Sequence, residues 1–224
     1  MKKSAVIVAG GSGTRMNAGM PKQFLLLNGK PLLMYSIEAF NVAFPGISVI
    51  LVLPATELLP WKQLCDEYAF NLPCTLVAGG ETRFHSVQNA LAVMDDGGLV
   101  AIHDGARPLV SPSLIRNTFL TAGQLGNAVP VIEFSDSVRK VSGKGSQPVD
   151  RSILRLVQTP QVFNISILKK AYHQEYRTTF TDDASVMESA GETIHLTEGD
   201  PVNLKITHPY DLAAAEIMLK NVQF

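Results

Sequence analysis

The chain has 224 residues, of which 46% are hydrophobic and 17% are charged. This composition is typical of a globular protein with a buried core, and it excludes a disordered or fibrous chain. Lysine plus arginine number 19 against 20 aspartate plus glutamate, giving a net charge of −1 that disfavours nucleic acid or a membrane surface as a partner. Any anion that the protein binds must therefore be met by a few placed cations.

We expect no targeting segment at the N-terminus. The apolar stretch behind Lys2 and Lys3 covers only residues 5–9, shorter than the roughly 7–15 residues of a signal-peptide core. No stretch approaches the roughly 18 apolar residues that span a bilayer. The two cysteines, Cys65 and Cys74, fit a reducing compartment, and we interpret both as small core residues. We expect a cytoplasmic protein without a membrane partner.

Apolar runs rich in valine and isoleucine alternate with segments of helical period along most of the chain. This alternation predicts an α/β fold with a mostly parallel central sheet, and we expect residues 1–224 to form one domain. Several runs are apolar throughout, as in strands that are buried on both faces. Strands are predicted at residues 4–9, 47–53, 74–77, 99–103 and 128–133, with another near residues 193–197.

Helix-start signals lie between these strands. Pro31 opens the first helix, Thr56 is a possible cap for the second, and a third follows Thr82. Ser111 and Pro112 supply a cap and a first-turn proline for a fourth helix that runs to about residue 125. Further helices are predicted at residues 166–177, behind Thr181 as a cap, and after Pro209.

The alternation breaks between about residues 134 and 161. Residues 134–142 and 149–157, joined by the turn-like residues 143–146, predict a long β-hairpin that projects from the sheet as an arm. Such an arm has too little core to be stable alone, so it must pack on something else. The simplest partner is a second subunit, and we therefore expect a homodimer through the arm.

The end of the first predicted strand is rich in glycine. Gly10, Gly11 and Gly13 are followed by the cations Arg15 and Lys22. Glycine at this place in an α/β protein lets backbone N–H groups approach an anion without a Cβ in the way. The segment therefore predicts a phosphate site.

Two named phosphate-binding motifs do not fit this segment. The dinucleotide fingerprint needs a third glycine where Met16 stands, which disfavours a dehydrogenase, and the P-loop needs a lysine directly after its last glycine. A glycine loop followed by Arg15 and Lys22 suits a triphosphate that reacts between its phosphates. Attack of a phosphate oxygen on the α-phosphorus needs no base, only positioning and electrostatic stabilisation with Mg²⁺.

Residues 9–16 and 21–24 resemble the signature of sugar-phosphate and polyol-phosphate nucleotidyltransferases. More narrowly, the chain is similar to the 2-C-methyl-D-erythritol 4-phosphate cytidylyltransferase family. The resemblance implies a Rossmann-like fold with a dimerisation arm. It also implies transfer of CMP from CTP to 2-C-methyl-D-erythritol 4-phosphate, with release of pyrophosphate, in non-mevalonate isoprenoid synthesis. Further blocks of resemblance lie at residues 79–87, 103–108, 149–151, 158–161, 181–185 and 203–207.

The resemblance also implies the roles of individual residues, with Asp104 as the Mg²⁺ ligand. The expected catalytic residues are Arg15, Lys22, Arg151 and Lys205. The expected CTP-binding residues are Ala9, Gly10, Gly11, Gly13, Gly80, Glu81 and Ser86. The polyol phosphate is expected at Ser137, Arg151, Thr181 and Lys205, with the first two reaching the other subunit's site.

Several of these residues have a purely structural interpretation as well. Asp104 could cap a turn or pair with Arg107, and Arg83 could bind phosphate or form a salt bridge. His103 alternates away from Asp104 on its strand, so packing is a better expectation than metal binding. Lys205 lies in an apolar segment where an inward lysine needs a charged partner, which a substrate phosphate would provide.

Two departures from the family pattern leave alternatives open. Gly10 stands where the family has alanine, as in relatives that act on ribitol phosphate, and Ser137 replaces a threonine but keeps the hydroxyl. A ribitol-5-phosphate cytidylyltransferase is therefore the closest alternative, although residues 149–151 read Val-Asp-Arg where that relative has Val-Arg-Asp. A non-catalytic nucleotide-binding regulator is the alternative of another class, and the intact set of cations with a carboxylate weighs against it.

Overall fold

The computed structural model describes residues 1–10 and 21–221. Strands and helices alternate over most of these ranges, as the sequence predicts. The strands are β1 (Lys3–Val8), β2 (Leu26–Leu27), β3 (Lys30–Pro31), β4 (Ser48–Leu53), β5 (Thr75–Ala78), β6 (Leu99–Asp104), β7 (Asn127–Ile132), β8 (Val138–Ser142), β9 (Gly145–Val149), β10 (Leu156–Val157), β11 (Gln161–Asn164) and β12 (Leu196–Glu198). The helices are α1 (Leu32–Ala43), α2 (Leu58–Glu67), α3 (Arg83–Ala92), α4 (Pro112–Leu125), α5 (Ile165–Ala171), α6 (Asp183–Ser189) and α7 (Pro209–Asn221).

The central sheet has the strand order β10-β7-β11-β6-β1-β4-β5, and β12 pairs with β7. Strand β1 runs parallel to both β4 and β6, so that Val8 lies beside Val52 on one side and Asp104 on the other. Strand β11 is antiparallel to its neighbours β6 and β7. The prediction of an α/β fold with a mostly parallel sheet is confirmed, and the carboxyl ends of β1, β4, β5 and β6 meet at one edge.

Both faces of the central strands are buried. On β1, Ala5 and Ile7 pack on one face with residues of α1 and α4, while Val6 and Val8 pack on the other with residues of α3 and α5. Each of these four side chains has less than a tenth of its surface exposed. Because residues 4–8 of the strand are all buried, the sequence shows a nearly continuous apolar run.

The predicted bounds of β1, β4, β5, β6 and β7 match the observed ones to within one or two residues. The cap prediction at Ser111 is confirmed, because its side chain accepts a hydrogen bond from the Leu114 N–H at 3.2 Å. The predictions for Thr56 and Thr181 as caps are wrong. Thr56 lies in a 3-10 turn that leads directly into α2. Helix α6 is capped instead by Asp182, which forms a capping box with Ser185.

The hairpin differs in length from the prediction. Strands β8 and β9 pair around a tight turn at residues 143–144, so the second strand ends at Val149 instead of beginning there. The Asp150 side chain accepts a hydrogen bond from the Ser152 N–H at 2.9 Å and caps a 3-10 turn at Arg151–Ile153. Capping of this turn stops the strand, and β10 then returns to the central sheet beside β7.

Three further features depart from the sequence analysis. Helix α5 ends at Ala171, well before residue 177. Strand β11 was not predicted. Cys65 and Cys74 are free and only half-buried at the margin of the core, where burial raises the pKa of the Cys74 thiol to about 12. Within residues 1–10 and 21–221, no helix combines the length and apolar character needed to cross a membrane.

Candidate active site

A cleft opens at the sheet edge where the carboxyl ends of β1, β5 and β6 meet. Open α/β sheets bind their ligands at this edge, because the loops that follow the strands diverge there. The backbone directly after β6 packs closely against α1, since a Cβ on Gly105 would lie 2.9 Å from the Leu33 Cδ1 atom. The described residues that line the cleft are Val8, Ala9, Gly10, Gln23, Gly80, Glu81, Thr82, Arg83, Ser86, Asp104, Ala106 and Lys205.

One wall of the cleft is a tight turn between β5 and α3. The Gly80 N–H donates to the Ser86 Oγ atom at 3.1 Å, and the Ser86 hydroxyl donates to the Thr82 carbonyl at 3.0 Å. A Cβ on Gly80 would lie only 2.4 Å from the Cβ of His85, so this position admits no side chain. Thr82 caps α3 by accepting from the His85 N–H. The turn is therefore rigid before any ligand arrives.

Asp104 lies at the end of β6 on the floor of the cleft. Its Oδ2 atom is 2.7 Å from the Lys205 Nζ atom, and its Oδ1 atom accepts from the Arg83 Nε at 3.4 Å. Only 13% of its side chain is exposed. Burial opposes ionisation, but Arg83 and Lys205 outweigh this effect and hold the pKa of Asp104 well below its ordinary value. Asp104 is therefore a fixed carboxylate that faces the cleft.

His103 supports Asp104 from the opposite side of β6. It is fully buried, and its Nε2 atom donates to the Arg107 carbonyl at 3.2 Å. Its Nδ1 atom accepts from the Thr159 hydroxyl at 3.1 Å, and the Thr159 oxygen in turn accepts from the Asp104 N–H at 3.0 Å. Burial lowers the pKa of His103 to about 4, so the ring is neutral near pH 7. The prediction that His103 packs in the interior is confirmed.

Arg83 forms salt bridges with two carboxylates, Asp183 and Asp104. Its Nη2 atom is 2.6 Å from the Asp183 Oδ2 atom, in addition to the longer contact with Asp104. Asp183 is completely buried, and its second oxygen accepts from the Tyr172 hydroxyl at 2.6 Å. Burial opposes the charge on Arg83, but Asp183 and Asp104 raise its pKa well above the ordinary value. The first turn of α3 is thereby tied to the start of α6.

Arg107 is not the partner of the Asp104 side chain. Its backbone N–H donates to the Asp104 carbonyl, while its guanidinium donates from Nη1 to the Asn203 carbonyl at 2.7 Å. The Asn203 side chain in turn donates to the Thr159 carbonyl at 2.8 Å. These bonds hold the segment that carries Lys205 against the end of β6, which explains why the lysine meets Asp104.

The structure brings together part of the residue set that the sequence analysis names. The cleft contains Ala9, Gly10, Gly80, Glu81, Ser86, Asp104 and Lys205. Gly11, Gly13 and Arg15 lie outside the described residues, as does the side chain of Lys22, whose backbone belongs to a 3-10 turn. Thr181, Ser137 and Arg151 are exposed and do not line the cleft of their own chain. Arg151 instead donates to the carbonyl of Ser135.

Sequence reasoning missed two residues at this site. Asp183 is one of two adjacent acids at the start of a helix, and nothing local distinguishes the buried acid from its neighbour. Gln23 lines the cleft with only 2% of its surface exposed, and neither polar atom of its amide has a hydrogen-bond partner in the part of the chain that the structure describes. An unpaired buried amide is costly. The signal for Gln23 was its place directly after Lys22.

A divalent cation fits this donor set only together with a substrate. Among the described residues, no group of three or more histidine, cysteine, aspartate or glutamate side chains could hold a metal. Asp104 supplies one carboxylate that is fixed and ionised. Mg²⁺ is commonly held by one or two carboxylates plus the phosphates of a substrate, and it keeps several waters. In the part of the chain that the structure describes, the cleft thus combines a rigid turn, the fixed carboxylate of Asp104 and the cations Arg83 and Lys205.

Comparison with known proteins gives one consistent result. The profile of the family described as IspD, 2-C-methyl-D-erythritol 4-phosphate cytidylyltransferase, matches residues 4–221. A protein of that name from Bacteroides thetaiotaomicron is 47% identical over 219 residues, which cover 98% of this chain and 100% of the relative. Another from Geobacillus thermodenitrificans is 38% identical and covers 98% and 97% of the two chains.

A solved structure agrees with the sequence comparison. The crystal structure of the 2-C-methyl-D-erythritol 4-phosphate cytidylyltransferase from Thermus thermophilus superposes with a TM-score of 0.80 at 33% sequence identity. The match covers 98% of this chain and 100% of that one. The likeness therefore extends over nearly the whole chain.

Proposed function

Because this chain belongs to the 2-C-methyl-D-erythritol 4-phosphate cytidylyltransferase family, we infer that it transfers the cytidylyl group of CTP to 2-C-methyl-D-erythritol 4-phosphate. A phosphate oxygen of the acceptor forms a bond to the α-phosphorus of CTP. The bond from that phosphorus to the bridging oxygen of the β-phosphate breaks, and pyrophosphate leaves. Full-length relatives with this name favour the methylerythritol acceptor over ribitol phosphate, and they favour an enzyme over a regulator.

The contact between Lys205 and Asp104 is the observation that carries the mechanism. A fixed carboxylate and a half-exposed ammonium lie 2.7 Å apart, across the cleft from the Gly80 turn. We assign Asp104 as the protein ligand of a divalent cation, taken to be Mg²⁺, which supplies charge neutralisation for the triphosphate when bound. Lys205 is more exposed than Asp104, so it can exchange the carboxylate for the phosphate of the acceptor.

The nucleotide is assigned to the two glycine segments. Ala9, Gly10, Gly11 and Gly13 follow β1 and would offer backbone donors to the triphosphate. Arg15 and Lys22 would stabilise the charge that develops on the α-phosphate, since no base is needed when the nucleophile is already an anion. The turn residues Gly80, Glu81 and Ser86 are assigned to cytosine and ribose, because a rigid turn without a Cβ lets the main chain approach a base edge.

The arm is assigned to dimerisation. Strands β8 and β9 are exposed along nearly their whole length. Val141 in β8 and Ile153 in the 3-10 turn after β9 have 75% and 76% of their surface exposed. No arm residue lines the cleft of its own chain. A second copy of the chain would use Ser137 and Arg151 on its partner's acceptor. Thr181 would complete the acceptor site, and residues 1–224 would act as one domain.

The proposed reaction is tested by pyrophosphate release from CTP and Mg²⁺. We expect release with 2-C-methyl-D-erythritol 4-phosphate and little with ribitol 5-phosphate. Release with only the ribitol compound would overturn the acceptor, and release with neither would favour a regulator. Arg15→Ala should lower turnover by roughly 100- to 1,000-fold while the circular dichroism spectrum stays unchanged. Unimpaired turnover in that variant would remove its catalytic role.

The proposed sharing of sites between subunits has its own test. Arg151→Ala removes the arm contribution and Asp104→Asn removes the cleft contribution, so each variant alone should be almost inactive. After subunit exchange in an equal mixture, half of the dimers contain one of each and one intact site, which restores about a quarter of the wild-type activity. A mixture as inactive as its parents would mean that Arg151 does not act across the dimer.

A further inference from the structure

The Arg83 guanidinium is shared unequally between two carboxylates. Its bond to Asp183 is 2.6 Å long, whereas its contact with Asp104 is 3.4 Å, at the outer limit for a hydrogen bond. Charge-assisted bonds between arginine and a carboxylate are strongest below about 2.9 Å. The guanidinium is therefore held mainly by Asp183, and it touches Asp104 only from the edge.

Asp183 is fixed more firmly than the arginine that it binds. It has no exposed surface, and the Tyr172 hydroxyl occupies its other oxygen at 2.6 Å. The neighbouring backbone is held as well, because the buried Gln161 amide donates to the Asp182 side chain at 2.8 Å and accepts from the Ala184 N–H at 3.0 Å. Asp183 thus acts as an anchor whose position is set by α6, β11 and Tyr172.

The position of Arg83 matters because two cations lie close to the Asp104 carboxylate. Lys205 and Arg83 both approach the Asp104 carboxylate, and either cation competes with a metal ion for its oxygens. An arginine without another partner forms a two-pronged pair with a carboxylate and covers both oxygens. Lys205 is a flexible single-point donor with 46% of its side chain exposed, so it can leave. Arg83 is the cation that must be restrained.

We propose that Asp183 is a positioning residue that holds Arg83 back from Asp104 and thereby keeps the Asp104 carboxylate open to a divalent cation. Asp183 touches neither substrate nor metal in this role and acts only through Arg83. Tyr172 orients the Asp183 carboxylate. This inference rests on the proposed function, in which Asp104 is the metal ligand.

The test is a binding measurement without turnover. CTP is titrated calorimetrically into the full-length protein at a series of Mn²⁺ concentrations, with no acceptor present. The Mn²⁺ concentration that gives half of the gain in CTP affinity is called the Mn²⁺ requirement. In Asp183→Asn the arginine loses its charged anchor and moves onto Asp104. We expect this concentration to rise roughly tenfold, as for other residues that support a metal ligand. CTP affinity in EDTA should not change.

Two further variants separate charge from packing. Tyr172→Phe removes one hydrogen bond but keeps the Asp183 carboxylate, so the Mn²⁺ requirement should stay within about twofold of the wild type. The double variant Arg83→Gln with Asp183→Asn removes the competing cation together with its anchor, and it should bring the requirement back to the wild-type value. Thermal unfolding monitors the fold of each variant, and Arg83→Gln alone should not raise the requirement.

The outcomes that overturn the proposal are distinct from failure of the proposed function. An unchanged Mn²⁺ requirement in Asp183→Asn would overturn it, as would no recovery in the double variant. If Asp183→Asn does not fold, a raised requirement in Arg83→Gln alone would overturn it. In all these cases Asp104→Asn should still abolish the Mn²⁺ effect. If Asp104→Asn keeps that effect, the metal assignment itself is wrong and this inference falls with it.

Discussion

The cleft and the β8–β9 hairpin each contain an arginine, but the two arginines differ in what holds them in place. In the cleft, Arg83 is held between two carboxylates, one of them wholly buried. In the hairpin, Arg139 bonds only to Ser146 within the hairpin itself, at 2.9 Å, and both side chains lie at the surface. One arginine is positioned by three elements of the fold, whereas the other is positioned by its own hairpin alone.

This difference separates the nucleotide and metal half of the proposed site from its acceptor half. Among the described residues, the cleft contains a fixed carboxylate, a rigid turn and the restrained Arg83, so the Gly80 turn and Asp104 are preorganised. The arm residues assigned to the acceptor, Ser137 and Arg151, are exposed and unrestrained by any core. We therefore propose that a second copy of the chain completes the acceptor half of the site.

The largest effect is expected from Asp104→Asn in the cleft. Loss of the carboxylate removes the proposed metal ligand and leaves Lys205 without its ion-pair partner, and turnover should fall roughly 100- to 1,000-fold. The matched control is Asp95→Asn, which breaks a short ion pair on the exposed surface, Asp95 to Lys2 at 2.9 Å. Steady-state rates of pyrophosphate release measure both. Equal losses in the two variants would mean that ion pairing, and not the site, matters.

Stability should depend on pH through His103. Its pKa is about 4 in the folded protein against 6.5 in the unfolded chain, so the unfolded chain binds the proton first. The free energy of unfolding should be constant above pH 6.5 and should fall by roughly 3 kcal/mol as the pH drops to 4. Asp104, with its lowered pKa, contributes only below this window.

Urea unfolding at pH 7 and pH 4.5 measures this dependence. His103→Gln should flatten the decline between the two pH values, because its amide does not titrate. The matched control is His173→Gln, at an exposed position, which should leave the decline unchanged. A decline of the same size in His103→Gln would assign the pH dependence to other groups.

Alanine substitutions of Gly80 in the cleft and Gly145 in the hairpin should differ in their effect on stability and CTP binding, and this effect is smaller than that of Asp104→Asn. In Gly80→Ala the new Cβ meets the Cβ of His85 at 2.4 Å, and the turn must shift at a cost of roughly 1–3 kcal/mol. The Michaelis constant for CTP should rise about tenfold if the turn binds the base. Gly145→Ala, in the hairpin, meets nothing closer than 3.9 Å and should change neither quantity. Unfolding and steady-state assays test the pair.

The smallest effect is expected for Arg139→Ala. Removal of an exposed side chain that bonds only within its own hairpin should shift the melting temperature by less than about 2 °C. Differential scanning calorimetry measures the shift. A larger loss would mean that the hairpin is held against another surface through this residue.

Much of the local structure was predictable because its causes are short in range. The apolar run of β1, the cap at Ser111 and the packed ring of His103 each follow from alternation, capping or strand direction over a few residues. The glycine-rich segments and the order of the motif blocks predicted the family. Length errors arose where capping by Asp150 or Asp182 competed with the predicted pattern.

The sequence by itself determined the fold class, the family and the position of Asp104 at a strand end. Only the tertiary structure decided that Lys205 pairs with Asp104 and that Asp183 binds an arginine 100 positions away. Such pairs depend on where β6, α3 and α6 meet once both faces of the sheet are packed. Local patterns are fixed by neighbours in the chain, whereas these contacts are fixed by the packing of elements that are distant in it.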